Sequence, residues 1–211
     1  MSNRFSFKIV VAGPFAAGKT TLITTVSDRP VVGTEAPTSG HEAAVKATTT
    51  VGMEYGTLSA GDDHNAVELD LYGVPGQERF SFMWDIVGMG MDGLFLLVNG
   101  SSPESWTESA SVGRYFKDRF PTPVVVAVNR ATDRPDLVDD VRRAIPIPGA
   151  LYLGFDVINA EATRDAIVEL LLLMLDELPE EPDEQLDAYD AAIEAARAGE
   201  PVTDHFMAEV Q

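Results

Sequence analysis

The chain has 211 residues, no cysteine and a formal net charge of −19. This length suits one α/β domain with an appendage. The lack of cysteine excludes disulfides, cysteine–zinc sites and lipid attachment to cysteine. The negative charge argues against nucleic acid or anionic lipid as a partner. No apolar run reaches the roughly 18 residues of a membrane span. We therefore expect a cytoplasmic protein without a membrane anchor of its own, recruited to membranes only through a partner.

The first predicted elements are a strand over residues 5–12 and a helix over residues 20–26, with a glycine-rich loop between them. The loop matches G-x-x-x-x-G-K-[ST], a pattern typical of nucleoside-triphosphatases. Its residues are Gly13, Pro14, Phe15, Ala16, Ala17, Gly18, Lys19 and Thr20. The two glycines allow tight turns that direct backbone N–H groups at a phosphate. Lys19 would reach the β- and γ-phosphates, and the Thr20 hydroxyl would bind Mg²⁺.

A long loop and a hairpin are predicted next. Residues 28–49 are rich in Thr, Pro, Gly and Ala and show no periodicity, which favours a loop. Strand patterns over residues 51–58 and 66–72 flank the turn-forming segment 60–65. These strands are expected to pair as an antiparallel hairpin.

The rest of the domain alternates buried strands and helices. The predicted elements are a strand at 93–99, a helix at 103–119, a strand at 123–129, a helix at 136–144 capped by Asp133 or Asp136, a strand at 150–155 and a helix at 160–178. This order predicts an α/β fold: a doubly wound, six-stranded, mostly parallel sheet with one antiparallel edge strand.

The chain divides into a domain over residues 1–178 and an acidic tail over residues 179–211. Residues 176–211 contain 12 acidic residues and one arginine, so this segment carries −11 of the net charge of −19. Leu186, Tyr189 and Ile193 recur in the tail at helical spacing. The tail is either a solvated appendage or an amphipathic helix that docks on the domain or on a partner.

Two further segments carry a family resemblance. The sequence from Gly73 to Phe80 contains Gly-Gln-Glu-Arg-Phe and resembles the second switch of Ras-superfamily small GTPases. The sequence from Thr50 to Gly56 resembles their first switch and the strand after it. The resemblance covers residues 4–178 and implies the small-GTPase version of the P-loop NTPase fold. It also implies a molecular switch that binds GTP or GDP with Mg²⁺ and hydrolyses GTP to GDP and phosphate.

The resemblance assigns roles to residues in both switches. Thr50 would contact Mg²⁺ and the γ-phosphate, with Thr48 and Thr49 as alternatives for this role. Gln77 would orient the attacking water, and the backbone N–H of Gly76 would hold the γ-phosphate. Lys19 would act with Gln77 in catalysis. The implied nucleotide-binding residues are the loop from Gly13 to Thr20, Thr21, Thr50, Gly76, Asn129, Arg130, Thr132, Asp156, Val157 and Ile158.

One departure from the family pattern narrows the resemblance. Gly73 stands where the second switch usually has an aspartate that holds Mg²⁺ through water. With fewer groups to fix the metal, we expect weak Mg²⁺ retention and slow intrinsic turnover. The Val-Pro-Gly-Gln version resembles bacterial MglA-like GTPases and, more closely, those of actinobacterial conservon operons. That resemblance implies a roadblock-type regulatory protein and other conservon-encoded proteins as partners.

A second departure concerns the base. Small GTPases read guanine with Asn-Lys-x-Asp, whereas this chain has Asn129-Arg130-Ala131-Thr132. The stem of Arg130 can replace that of lysine along the base. Thr132 cannot accept two hydrogen bonds as the aspartate does, and Asp133 reaches the base only if the loop bulges. Guanine is therefore expected from the resemblance, and adenine stays open as an alternative.

The loop after the sixth predicted strand completes the expected base site. By family resemblance, a backbone N–H within Asp156, Val157 and Ile158 would meet guanine O6. Two other functions remain: an interaction module that holds a nucleotide without cycling, and a P-loop ATPase or kinase. The first is favoured by the two departures at Gly73 and Thr132. The second would need a carboxylate at position 73.

Overall fold

The computed structural model describes residues 3–33, 35–37, 48–50, 53–61 and 65–176, so the tail predicted for residues 179–211 lies outside the described residues. The strands are β1 (Asn3–Ala12), β2 (Glu35–Pro37), β3 (Thr48–Thr50), β4 (Glu54–Gly61), β5 (Asn65–Gly73), β6 (Gly93–Asn99), β7 (Val124–Asn129) and β8 (Leu151–Phe155). The α-helices are α1 (Lys19–Val26), α2 (Phe82–Gly88), α3 (Trp106–Arg119), α4 (Pro135–Ala144) and α5 (Ala160–Asp176).

Six of the strands form one mixed sheet in the order β4-β5-β1-β6-β7-β8. The edge strand β4 is antiparallel to β5, and every other neighbouring pair is parallel. β1 lies inside the sheet, where Ile9 is opposite Leu71 of β5 and Gly93 of β6. The predicted α/β class, the mostly parallel six-stranded sheet and its antiparallel edge strand are confirmed.

Helices cover both faces of this sheet. Ile9 and Val11 of β1 enter a core formed with α1 and α5, whereas Val10 and Ala12 enter a second core formed with α2, α3 and α4. All four side chains are fully buried. Because strands covered on both faces need apolar residues on both sides, β6 and β7 read as almost continuous apolar runs. The two cores together fix the end of β1, from which the glycine-rich loop emerges.

The region predicted as a long loop contains two short strands. β2 and β3 pair antiparallel, with Glu35 opposite Thr50, and form a sheet separate from the main one. Earlier in the same region, the backbone of Val32 exchanges two hydrogen bonds with that of Tyr55, at 2.9 and 2.7 Å. Strands of three residues show too little alternation to be recognised from sequence.

The helices differ from prediction in two respects. The sequence did not delimit α2, which begins one residue after Ser81. The prediction that Asp133 or Asp136 caps α4 is wrong. Arg134 occupies the capping position without a side-chain hydrogen bond, and Pro135, with its fixed φ, begins the helix. Asp136 instead pairs with Arg134. Within the described ranges, no helix combines the length and apolarity that a bilayer crossing requires.

Candidate functional site

The carboxyl ends of the parallel strands meet at one edge of the sheet, where ligands of open α/β sheets usually bind. The loop between β1 and α1 lies there. So do the segment that follows β5, the turn that follows β7 and the loop that follows β8. Because these segments are neighbours in space but far apart in sequence, most of the predicted site residues fall in one region of the fold.

The backbone of the glycine-rich loop is held in conformations that need glycine. Gly13 has a φ of 146°, and a β-carbon there would lie 2.2 Å from the carbonyl oxygen of Leu97. Gly18 has a φ of 110° and directly precedes α1. Ala16 also adopts a positive φ, of 58°. The loop therefore turns tightly into the amino end of α1, whose first N–H groups have no carbonyl partner within the helix.

Lys19 is folded back over this loop. Its side chain is buried, and Nζ donates hydrogen bonds of 2.8 Å to the carbonyl oxygens of Gly13 and Pro14. Gly76, which follows β5, closes against the same place. A β-carbon at Gly76 would lie 2.6 Å from Phe15 N and 2.7 Å from Lys19 Nζ. The predicted loop and the predicted second switch are thus in direct contact at the ammonium group.

A carboxylate that the sequence reasoning missed lies beside Thr20. Glu54 begins β4 and is opposite Gly73 in the hairpin register. Its side chain is 3% exposed, and its Oε1 accepts a hydrogen bond from Thr20 Oγ1. Its Oε2 would lie 2.9 Å from a β-carbon at Gly73. The carboxylate therefore occupies the space next to Gly73, the position at which the sequence lacks an aspartate.

The residue after Glu54 fixes the start of β4. Tyr55 donates a hydrogen bond of 2.6 Å from its hydroxyl to Asp70 of β5. Asp70 also accepts a hydrogen bond of 3.2 Å from Ser6 of β1. The bond to the Asp70 carboxylate, together with burial, raises the pKa of Tyr55 to about 12. Tyr55 therefore stays protonated and donates its hydrogen bond at neutral pH. This bond joins β4 to β5 next to Glu54.

The segment from Pro75 to Gln77 is held from two sides. The backbone N–H of Val74 donates to the carbonyl of Val11 at 3.1 Å, and the indole N–H of Trp84 donates to the carbonyl of Pro75 at 3.0 Å. Trp84 lies on α2 and packs edge-on against Tyr115 of α3, with ring centroids 5.0 Å apart. Gln77 is buried just after Gly76.

Asn129 connects the loop to the far side of the site. Its Nδ2 donates to the carbonyl of Ala17 at 3.0 Å, and its Oδ1 accepts from the backbone N–H of Val157 at 3.2 Å. The side chain is buried between the two segments. A β-carbon at Gly18 would lie 2.8 Å from its Nδ2, so the approach needs glycine. One carboxamide thus joins the glycine-rich loop to the ends of β7 and β8.

The other predicted base residues are more exposed. Arg130 has a φ of 62°, and its guanidinium reaches Asn99 Oδ1 at 3.4 Å. Thr132 is exposed on the turn that follows. Asp156 is half-buried, and Ile158 is exposed.

Three further predicted residues belong to the glycine-rich loop and the first turn of α1. Phe15 and Ala16 in the loop are half-buried, and Thr21 on α1 is exposed. The backbone of Thr48, Thr49 and Thr50 forms β3, but their side chains lie outside what the structure describes.

Few carboxylates are available to a cation here. Within the described residues, no group of three or more His, Cys, Asp or Glu side chains is placed to hold a metal ion. Two side-chain oxygen ligands that the structure describes beside the loop are the Thr20 hydroxyl and the Glu54 carboxylate. They suit a hard cation such as Mg²⁺, which binds through one or two protein oxygens and completes its shell with water and phosphate.

No known protein-family model matches the sequence.

The loop geometry makes a prediction for Gly13. Gly13→Ala should lower the free energy of unfolding by about 3 kcal/mol or more, because the methyl group meets Leu97 O and φ is positive. Gly149→Ala is the matched control, since Gly149 also has a positive φ, 74°, but no atom within 4 Å of the added carbon. It should cost only about 1 kcal/mol. Urea unfolding followed by circular dichroism measures both. Equal losses would contradict the close approach at Gly13.

Proposed function

We propose that the chain is a guanine-nucleotide switch of the small-GTPase type, which binds GTP or GDP with Mg²⁺ and hydrolyses GTP slowly to GDP and phosphate. One observation carries this proposal: Lys19, Thr20, Gly76 and the glycine-rich loop converge at the carboxyl edge of the sheet. The six-stranded sheet, with its single antiparallel pair, is compatible with the P-loop fold.

Phosphate binding follows from the loop. The β-phosphate would lie among the N–H groups at the start of α1, where the helix dipole favours an anion. The Lys19 ammonium stays at the loop through Gly13 and Pro14, and this position lets it face the β- and γ-phosphates. The backbone N–H of Gly76 would meet the γ-phosphate, because Gly76 already packs against Phe15 and Lys19.

Thr20, Glu54 and Thr50 would hold Mg²⁺. The ion would neutralise charge on the β- and γ-phosphate oxygens. Glu54 supplies the carboxylate that Gly73 lacks, and it is already in contact with the Thr20 hydroxyl. In this proposal a carboxylate from β4 fixes the ion in place of one from β5, which would make metal retention stronger than the lack of an aspartate at position 73 alone implies.

Gln77 would orient the attacking water. It directly follows Gly76, so a γ-phosphate at the Gly76 N–H would bring the phosphoryl group that is transferred to water close to the Gln77 carboxamide, with GDP as the leaving group. Lys19 would stabilise the charge that develops on the phosphoryl oxygens.

Switching would use the segments that touch the γ-phosphate. Loss of that phosphate would release Gly76 and the region of Thr50, and so change the surface offered to partners. Phe82 and Ile86 on α2 and Met89 directly after it are exposed and recur at helical spacing, and Trp84 of the same helix is hydrogen-bonded to the carbonyl of Pro75, next to Gly76. Such a surface suits a protein partner, and by family resemblance this would be a roadblock-type protein and other conservon-encoded proteins in the cytoplasm.

A second function is favoured by one feature. Thr132 is exposed and replaces the expected aspartate of the base site. A chain that holds a nucleotide without cycling would tolerate this change. Measuring phosphate release with and without a roadblock-type partner separates this reading from a cycling enzyme.

Gln77→Leu tests the hydrolysis step. The variant should bind GDP as the unaltered chain does, because leucine removes only the carboxamide that would hold the water. Its single-turnover release of phosphate from bound GTP should fall by about 100-fold. A fluorescent phosphate sensor measures the rate, and GDP affinity serves as the control for folding. Unaltered turnover would remove Gln77 from the mechanism.

Glu54→Gln tests the metal site. The variant keeps the shape of the side chain but loses the charge, so its Mg²⁺ affinity in the GDP complex should fall by about 10- to 100-fold. Titrating Mg²⁺ while following release of fluorescent GDP measures this affinity. Asp118→Asn, at an exposed position on α3, is the matched control and should not change it. Identical Mg²⁺ dependence in the Glu54 and Asp118 variants would show that Glu54 does not serve the metal.

A further inference from the structure

Reading guanine requires a group that accepts hydrogen bonds from both N1–H and the N2 amino group. A carboxylate does this with its two oxygens, whereas the Thr132 hydroxyl offers a single oxygen that accepts weakly. If the proposed function holds, another residue must therefore supply the carboxylate, or the site does not distinguish guanine from adenine. Among the described residues, the candidates for this role are the carboxylates close to the ends of β7 and β8.

The loops between β7 and α4 and between β8 and α5 each contain one carboxylate, Asp133 and Asp156, and Asp136 follows in the first turn of α4. Asp136 is engaged by Arg134, with two hydrogen bonds of 3.1 and 3.0 Å to the guanidinium. Asp133 is exposed at the corner of a turn closed by Arg134 N and Ala131 O, 3.1 Å apart. No described residue ties the Asp133 side chain to the rest of the site. Asp156 is the half-buried one of the three.

The position of Asp156 is set by the contacts of Asn129, which also hold the glycine-rich loop. Phe155, the last residue of β8, is opposite Asn129 in the sheet register, so Asp156 comes level with the start of the base motif. The next residue, Val157, donates its N–H to Asn129 Oδ1, and Asn129 in turn holds Ala17. Asp156 is therefore one residue away from a chain of hydrogen bonds that ends in the glycine-rich loop.

The carboxylate of Asp156 is also oriented. Its Oδ1 accepts the backbone N–H of Ile158 at 3.3 Å, and its own carbonyl accepts the N–H of Asn159 at 2.9 Å. These two contacts fix the turn between β8 and α5. In the turn after β7, Ala131 packs against Gly154 of β8 and donates its N–H to the carbonyl oxygen of Phe155 at 3.0 Å. This contact brings the turn that carries Thr132 alongside the end of β8.

We propose that Asp156 reads the guanine base in place of the missing aspartate, so that the carboxylate comes from the loop after β8 and a hydroxyl from the turn after β7. This inference rests on the proposed function and adds the residue that sets its base specificity. In this arrangement, the carboxylate accepts from N1–H and N2–H, and adenine, which offers neither donor there, is rejected.

Asp156→Asn tests the proposal, because the variant should lose affinity for GDP and gain affinity for xanthosine diphosphate. An amide has one acceptor and one donor group, so it repels the guanine N2 amino group but can donate to the C2 carbonyl of xanthine. GDP affinity should fall by about 100-fold or more, and affinity for xanthosine diphosphate should rise by a similar factor. Competition against a fluorescent diphosphate probe measures both affinities, with ADP as a third competitor. Gain of xanthosine diphosphate binding shows that the variant is folded.

Asp133→Asn is the matched variant, since it makes the same chemical change on the exposed turn. It should leave the affinities for all three nucleotides unchanged. The inference is overturned if the Asp133 variant shows the exchange of specificity instead. It is also overturned if the Asp156 variant keeps its GDP affinity, or loses it without gaining xanthosine diphosphate. Failure of the unaltered chain to bind GDP or GTP is a different result, because it removes the proposed function itself.

Discussion

The contact between the Lys19 ammonium and the carbonyls of Gly13 and Pro14 is the interaction on which the site depends. A lysine is costly to bury without partners, and here two main-chain oxygens accept from it. Those oxygens are available only because the loop turns sharply at Gly13. The strand, the loop and the first turn of α1 thus form one structural unit, and the remaining segments of the site are arranged around it.

Sheet order decides which distant residues join this unit. β1 pairs with β5 on one side and with β6 on the other, so the segment with Gly76, which follows β5, and the carbonyl of Leu97 in β6 both close against the loop. β4 returns antiparallel along β5, and its first residue, Glu54, therefore begins at the edge where the parallel strands end. An edge strand far from the loop in the sheet order can in this way place a carboxylate on Thr20.

Elements that depend on a pattern of neighbouring residues could be predicted from the sequence. Continuous apolar runs predicted β6 and β7, alternation predicted the hairpin, and the spacing from Gly13 to Thr20 predicted the loop. Glu54 could not be identified in this way, because its relation to Gly73 depends on strand register. Only the hairpin register that pairs Glu54 with Gly73 identifies Glu54 as the carboxylate next to that position.

Other features depend on tertiary contacts that leave no local pattern. The two hydrogen bonds of Asn129 join segments more than 100 positions apart in one case and 28 in the other. The start of α4 depends on Pro135 rather than on an aspartate, although both residue types are common at helix starts. Asp136 is hydrogen-bonded to the side chain of Arg134 and does not cap the helix.

The nucleotide content of the purified protein tests the central claim most directly. Denaturing the protein and identifying the released nucleotide by chromatography should show near-stoichiometric GDP or GTP for the unaltered chain. Lys19→Ala protein of the same thermal stability should release little, because the ammonium no longer faces the phosphates. Equal guanine nucleotide content in the two proteins, or none in the unaltered chain in the presence of Mg²⁺ and added GTP, would contradict the account.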